Sequence, residues 1–298
     1  MKTKYSVVIP HYESAKMLGR MLKSIPERDD IQIIVVDDCS SLKCQDELRL
    51  LQHCGLELVF QKENRGAGAA RNVGLKHAKG EWVIVVDADD VFSPNAFDVF
   101  DKNISNDIDY LCFCIKCVDA NLEVNGVKIV SDQSVRKYLA GPNRSTERYL
   151  KYKNTVCWNK LVSLKYIREN GIHFEECEVN NDVMYAIWVC CWTNRFKVIK
   201  DELYSFVVNA SSLTHKKRSI EREFLFYLQA QKRNGIFKKL KYGYPFYRMD
   251  ILYIPFLIKK RGFGDMVRFF VYRHKHIDIV NSAKKEYLFL LDGHDKNN

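Results

Sequence analysis

The chain has 298 residues, of which 47% are hydrophobic, and carries 47 Lys+Arg against 37 Asp+Glu. That length and composition suit one large domain, or one domain with an appendage, around a real core. No apolar stretch approaches the ~20 residues of a spanning helix, and Met1-Lys2-Thr3-Lys4 leads straight into a strand-like run rather than a secretory leader.

Ten cysteines without a leader fit free thiols in a reducing compartment, which points to a cytoplasmic protein. Cys112, Cys114 and Cys117 lack a second pair at zinc-finger spacing, so they are expected to pack a strand. The basic excess is confined to one end. From Lys216 onward there are 19 basic and 8 acidic residues, a net of +11, whereas the chain before it is at −1. This divides the sequence into a near-neutral part, 1–215, and a basic extension, 216–298.

Tyr5 to Pro10 reads as a strand stopped by proline. Ser14 is placed to cap a helix over Ala15–Ile25, whose Met17, Leu18, Met21, Leu22 and Ile25 recur at helical spacing. Ile31 to Val36 is a second buried strand and ends in Asp37 and Asp38. A helix follows over roughly Leu42–Cys54, then a strand over Leu56–Phe60. Asn64 to Leu75 is a glycine-rich turn running into a helix, and Glu81 to Val86 is the next strand. Strands alternating with helices at this spacing predict an α/β fold: a Rossmann-like, mostly parallel sheet with helices on both faces. Right-handed crossovers then bring Asp38, Arg71 and Asp87 to Asp90 to one edge of the sheet.

The strand ending at Val86 runs into three carboxylates in four positions, Asp87, Asp89 and Asp90. A core does not hold that much unpaired charge, so the acids are expected to face a cleft at the strand's carboxyl end. Oxygen ligands suit a hard cation, Mn²⁺ or Mg²⁺, held by one or two carboxylates and substrate phosphates. The alternative is a solvated acidic turn leading into the helix after Ser93-Pro94. The glycine-rich turn is not a dinucleotide fingerprint. Arg71 stands where the third glycine of that motif belongs, and no Walker-type lysine with Ser or Thr follows. An arginine on a first helical turn suits a base or a phosphate.

Four segments together resemble the family 2 glycosyltransferases: Ser6-Val7-Val8-Ile9-Pro10-His11-Tyr12, Val36-Asp37-Asp38-Cys39-Ser40, Asn64-x-Gly66-x-x-x-Ala70-Arg71-Asn72-x-Gly74 and Asp87-Ala88-Asp89-Asp90. Cys157-Trp158-Asn159-Lys160-Leu161-Val162 is similar to the family's W-x-K-L segment. Asn181-Asp182 is similar to its E-D pair, with asparagine in place of the glutamate. Leu203 to Phe206 and Ser211 to His215 look like the closing strand and the loop over the diphosphate. The resemblance covers about residues 5–215 and implies the A-type glycosyltransferase fold, with a donor half over about 1–118 and an acceptor half over about 119–215.

What the resemblance implies chemically is an inverting transfer from a nucleotide-sugar, a UDP-sugar, to a hydroxyl of a saccharide or lipid-linked acceptor in bacterial polysaccharide or glycolipid synthesis. Asp37, Asp38 and Arg71 would hold the base, with Pro10, Tyr12 and Glu13 bordering it, and Asp87 and Ala88 would meet the ribose. Asp89, with Asp87 or Asp90, would hold the metal. Asp182 would be the general base, and it also reads as an ordinary helix-cap acid. Trp158, Lys160 and His215 would meet acceptor or diphosphate, although a tryptophan there equally suits core packing and a histidine there a solvated loop. One base and no enzyme nucleophile suffice for inversion, and the strand-end acids do not resemble a hydrolase's flanking pair. The other reading of the chain is a non-catalytic nucleotide-sugar-binding or membrane-surface protein on the same fold, which Asn181 favours.

The extension is expected to be helical. Residues 216–262 interleave cations such as Lys216, Arg222, Lys238 and Lys259 with Phe224, Tyr227, Phe237 and Tyr253. That pattern suits peripheral contact with the anionic inner face of the cell membrane. It also fits a solvated helical cap with its aromatics turned inward. No motif supports nucleic-acid binding.

Overall fold

The computed structural model describes residues 2–208, 219–240, 254, 257–259 and 262–281. They belong to two compact units, Met1–Ser212 and Leu213–Asn298. In chain order the first unit is β1 (Tyr5–His11), α1 (Ala15–Lys23), β2 (Ile31–Asp37), α2 (Leu42–Arg49), β3 (Leu56–Phe60), α3 (Ala67–His77), β4 (Trp82–Val85), β5 (Val91–Phe92) and α4 (Ala96–Asn103). It continues with β6 (Tyr110–Val118), α5 (Val130–Ala140), α6 (Arg144–Lys153), β7 (Lys160–Ser163), α7 (Leu164–Glu169), α8 (Asn181–Cys191) and β8 (Phe196–Val207).

These strands form one sheet in the order β3-β2-β1-β4-β7-β6-β8-β5. The first four are joined by helical crossovers and pair in parallel, and β6 is parallel to β8. Sequence reading does not foresee β7, which lies antiparallel to both β4 and β6 in mid-sheet. The central strands β1, β2 and β4 are buried on both faces, which is why their sequences are continuous rather than alternating apolar runs. Each fully buried Val or Ile there contributes about 1.5–3 kcal/mol.

Helix α3 makes the tightest contacts. A Cβ on Gly74 would lie 2.3 Å from Val8 Cγ1, and one on Gly68 would lie 2.1 Å from the carbonyl oxygen of Glu175. The glycines let α3 touch β1 on one side and the segment before α8 on the other. Two helices are shorter than expected: α1 ends at Lys23, and α2 ends at Arg49. Ser14 makes no side-chain cap; its amide donates instead to His11 Nε2 at 3.1 Å. All ten cysteines are free thiols, and Cys112, Cys114 and Cys117 are buried on β6.

The second unit contains α9 (Ile220–Lys239) and α10 (Phe263–Lys275). Its core is Phe224, Tyr227, Leu228, Leu257, Phe269 and Val280. Tyr227 also accepts a hydrogen bond from Arg273 Nε at 2.9 Å. The expectation that the aromatics of 216–262 sit at a membrane is therefore corrected for Phe224, Tyr227 and Phe237, which are buried. Tyr253 lies outside the described residues. No helix among the described residues is long and apolar enough to cross a membrane.

Candidate active site

His11 of β1 stands opposite Asp37 of β2, and Val8 stands opposite Val85 of β4. The three parallel strands therefore deliver His11, Asp37-Asp38 and the Val86–Asp90 turn to one edge. Two of the four described non-glycine residues with left-handed backbone, Glu13 (φ 48°) and Cys39 (φ 62°), lie in the loops at this edge. Such strain persists only where the surroundings impose it, and it concentrates at functional sites.

Asp37 is buried behind the edge. One carboxylate oxygen meets His11 Nδ1 at 2.8 Å and the Ser40 hydroxyl at 2.5 Å, and the other accepts from the Ser40 amide at 3.0 Å. Asp37, expected to hold a base, here positions His11 and the loop after β2. Asp38 accepts from Gln61 Nε2 at 2.8 Å and from the amides of Arg65 and Gly66 at 2.9 and 2.7 Å. It thereby shapes the turn that opens α3. Pro10 is half-buried, whereas the Tyr12 ring is 54% exposed. Glu13 accepts from the amide and hydroxyl of Ser41. A cleft of about 320 Å³ lies alongside, lined by Glu13, Ser14, Met17, Ser41 and Lys43 among others.

Arg71 is only 7% exposed. A guanidinium so placed needs partners. Nη2 donates to Asp87 Oδ1 at 2.7 Å, Nη1 donates to Asn181 Oδ1, and the group lies 5.4 Å from the Phe174 ring centroid. Next to it, Asn72 exchanges hydrogen bonds with the Phe174 backbone at 2.9 and 2.8 Å. The arginine thus joins the strand-end acid to the start of α8, and Asn181 does the accepting there. Sequence reading registers Asn181 only as a departure, because its partner is 110 residues away.

The acid turn divides its carboxylates. Asp87 and Asp89 are partly exposed, and Ala88 between them is buried. Asp90 is 0% exposed. Its oxygens accept from the Tyr204 hydroxyl and the Val207 amide, each at 2.7 Å. Burial pushes its carboxyl well above the ordinary range, and Asp87 and Asp89 add to that push. Asp90, expected to help hold the metal, instead anchors β8 beneath the turn. Tyr204 completes the anchor by accepting from the Asp87 amide at 3.1 Å. Arg20 of α1, which the sequence does not single out, holds the Asp89 carbonyl at 2.7 Å and the Ala120 carbonyl at 3.0 Å.

Asp182 lies in the first turn of α8, next to Asn181. Desolvation raises its carboxyl above the ordinary aspartate range; Arg71 opposes the shift and Asp87 reinforces it. Trp158 is 5% exposed and stacks on Tyr204 and Phe206 at 5.4 and 5.5 Å, so it is a core ring and not an acceptor platform. Lys160 is also corrected. Its buried ammonium donates to the Asn154 and Val156 carbonyls and to the side chains of Asn154 and Asn159, which fixes the bend into β7. His215 lies outside the described residues. Among the described residues, no three His, Cys, Asp or Glu side chains converge as a metal cluster. Asp87 and Asp89 offer oxygen donors only, a set that fits a hard cation completed by phosphate oxygens.

The profile of Glycosyl transferase family 2 matches residues 6–169, more than half of the chain. The chain belongs to that family. Its fold is the A-type glycosyltransferase fold. The poly(ribitol-phosphate) beta-N-acetylglucosaminyltransferase TarS of Staphylococcus aureus is 29% identical over 217 residues, covering 68% of this chain and 35% of TarS. The chain thus spans about a third of that relative's length. A cholesterol galactosyltransferase of Borreliella burgdorferi is 23% identical over 303 residues, covering 95% of this chain and 84% of that one. Among solved structures, S. aureus TarS 1-349 in complex with UDP-GlcNAc has a TM-score of 0.60 at 24% identity, covering 78% of this chain and 65% of that chain. The mannosyltransferase PcManGT of Pyrobaculum calidifontis, in complex with GDP-Man and Mn²⁺, has a TM-score of 0.53 at 14% identity, covering 100% and 87%. Both likenesses are of fold.

Proposed function

We propose that this glycosyltransferase moves a sugar with inversion from a UDP-sugar to a hydroxyl of a saccharide or lipid-linked acceptor, in surface polysaccharide or glycolipid synthesis. The observation that carries this reading is Arg71, which ties Asp87 at the strand end to Asn181, the neighbour of Asp182. The acid that would meet the donor and the acid that would meet the acceptor share one buried cation. TarS bound to UDP-GlcNAc and PcManGT bound to GDP-Man and Mn²⁺ support the donor class and the metal.

Asp89 and Asp87 would hold Mn²⁺ or Mg²⁺, which when bound supplies positive charge against a leaving diphosphate. Tyr12 and Glu13 border the base. Asp182 takes the proton from the acceptor hydroxyl as its oxygen bonds to the anomeric carbon and the bond to the diphosphate breaks. Its raised carboxyl makes it a better proton acceptor than an ordinary aspartate. Asn181 keeps Arg71 aligned without adding charge. The test is calorimetric UDP binding with and without Mn²⁺, on wild type and Asp89→Ala. Metal-dependent binding lost in the variant is expected; metal-independent binding of equal strength in both proteins would overturn the assignment.

A further inference from the structure

The second unit leaves an apolar stripe uncovered. Along α10, Phe263, Val267 and Val271 are 68%, 44% and 51% exposed. They recur every four residues and so share one side of the helix. The opposite side carries Phe269, which is buried in the unit's core. A shallow groove of about 440 Å³ follows the stripe, lined by Met266, Val267, Phe270, Val271, His274 and Lys275.

Cations flank this stripe. Arg268 and Lys275 lie on the same exposed side. Asp265 meets Arg268 at 3.6 Å, which leaves the local balance positive. An apolar stripe edged by Lys and Arg is the pattern of a helix lying in a bilayer interface. A second copy of this chain would set Arg268 and Lys275 against their own counterparts across the same face. A nucleic acid would leave the exposed phenyl and valine side chains unmatched.

We propose that α10 docks on an anionic lipid bilayer, with Phe263, Val267 and Val271 entering the interface and Arg268 and Lys275 meeting lipid headgroups. The contact rests on this unit's surface and not on the reading of the donor site. It also lies beyond most of the segment that composition alone suggests.

The test is flotation of the full chain with phosphatidylcholine vesicles and with equimolar phosphatidylcholine–phosphatidylglycerol vesicles. UDP binding on the same samples reports separately on the first unit. Binding is expected with the anionic vesicles only, and it should weaken as salt shortens the screening length from ~10 Å to ~3 Å. Phe263→Ser/Val267→Ser/Val271→Ser should lower the partition at least about tenfold, with helicity and the thermal midpoint unchanged. Arg268→Gln and Lys275→Gln should each lower it about fivefold. Equal binding to both vesicle types, or anionic binding unaltered in the triple variant, would overturn the proposal. So would a self-associated chain that the triple variant renders monomeric, because a second copy would then be the occupant.

Discussion

The two edges of the first unit's sheet are both lined with charge, and they use it differently. At the amino edge a cavity of about 980 Å³ is lined by Lys79, Glu81, Trp82, Asp109, Arg168 and Arg195 among others. Its charges meet as surface pairs: Lys2 with Glu81 at 2.6 Å, Lys165 with Glu169 at 3.7 Å and Arg195 with Asp109 at 3.6 Å. At the carboxyl edge a cleft of about 320 Å³ beside Glu13 and Ser41 is lined by none of the strand-end acids, yet Arg71, Asp37 and Asp90 are buried there and each depends on named partners. Desolvated polar groups are costly unless every one is satisfied, so a concentration of them marks where the fold has been built for something other than stability.

The contrast is sharpest for Asp182. Asp182→Asn should lower kcat on the order of 10²–10⁴-fold while UDP binding stays intact. In the wild type the acid limb of the pH–rate profile should lie above the ~3.9 of a free aspartate, because the base must lose its proton. The stability sign is the reverse. With the folded value raised, Asp182's contribution is fully present below ~3.9 and is lost as pH rises through the folded value. Asp182→Asn should flatten that slope in denaturation measured across the acid range. A profile with its limb at the ordinary aspartate position would remove Asp182 as the base.

Arg71→Met comes next. It leaves Asp87 and Asn181 without their shared donor, and it should destabilise by about 3 kcal/mol in urea unfolding. Arg71→Lys should recover only part, since one ammonium does not reproduce a fork aimed at two acceptors. A loss below about 1 kcal/mol would show that the clamp is no stronger than a surface pair.

The Asp87–Asp90 turn separates the two roles within one motif. If Asp90 is an anchor, Asp90→Asn keeps the amide contact to Val207 and costs little, whereas Asp90→Ala strands the Tyr204 hydroxyl and the Val207 amide at about 1–3 kcal/mol for each. Neither should change Mn²⁺ affinity much. Asp89→Asn should weaken metal binding with little effect on unfolding. The opposite pattern would return Asp90 to the metal.

How much of this was readable follows from range. The strand-end acids, the glycine turn and the alternation of elements are local patterns, and they lead to the right fold and to the convergence of His11, Asp37 and Asp87 at one edge. The burial of Asp90 as an anchor depends on Tyr204, 114 residues away, and the placement of Arg71 depends on Asn181. Nothing near either residue in sequence encodes those partners. Trp158 and Lys160 fit a family pattern equally well as site residues or as packing, and only the ring stack and the ring of carbonyls around the ammonium decide it. The antiparallel β7 was hidden for the same reason: a short apolar run gives no hint of direction.

The smallest expected effect tests the other side of the comparison. Lys2 and Glu81 form a close pair at the amino edge, yet their side chains are 82% and 47% exposed. Holding a long lysine in place costs rotamer entropy, and water and salt screen the attraction. A double-mutant cycle with Lys2→Ala and Glu81→Ala should therefore give a coupling below ~1 kcal/mol that shrinks further at high salt. Turnover should be unaffected, because neither residue lies at the β4 carboxyl end with Asp89 or in the first turn of α8 with Asp182. A coupling of several kcal/mol, or a loss of activity in either single variant, would mean that the amino edge is also a built site and that exposed pairing is no sign of idleness in this sheet.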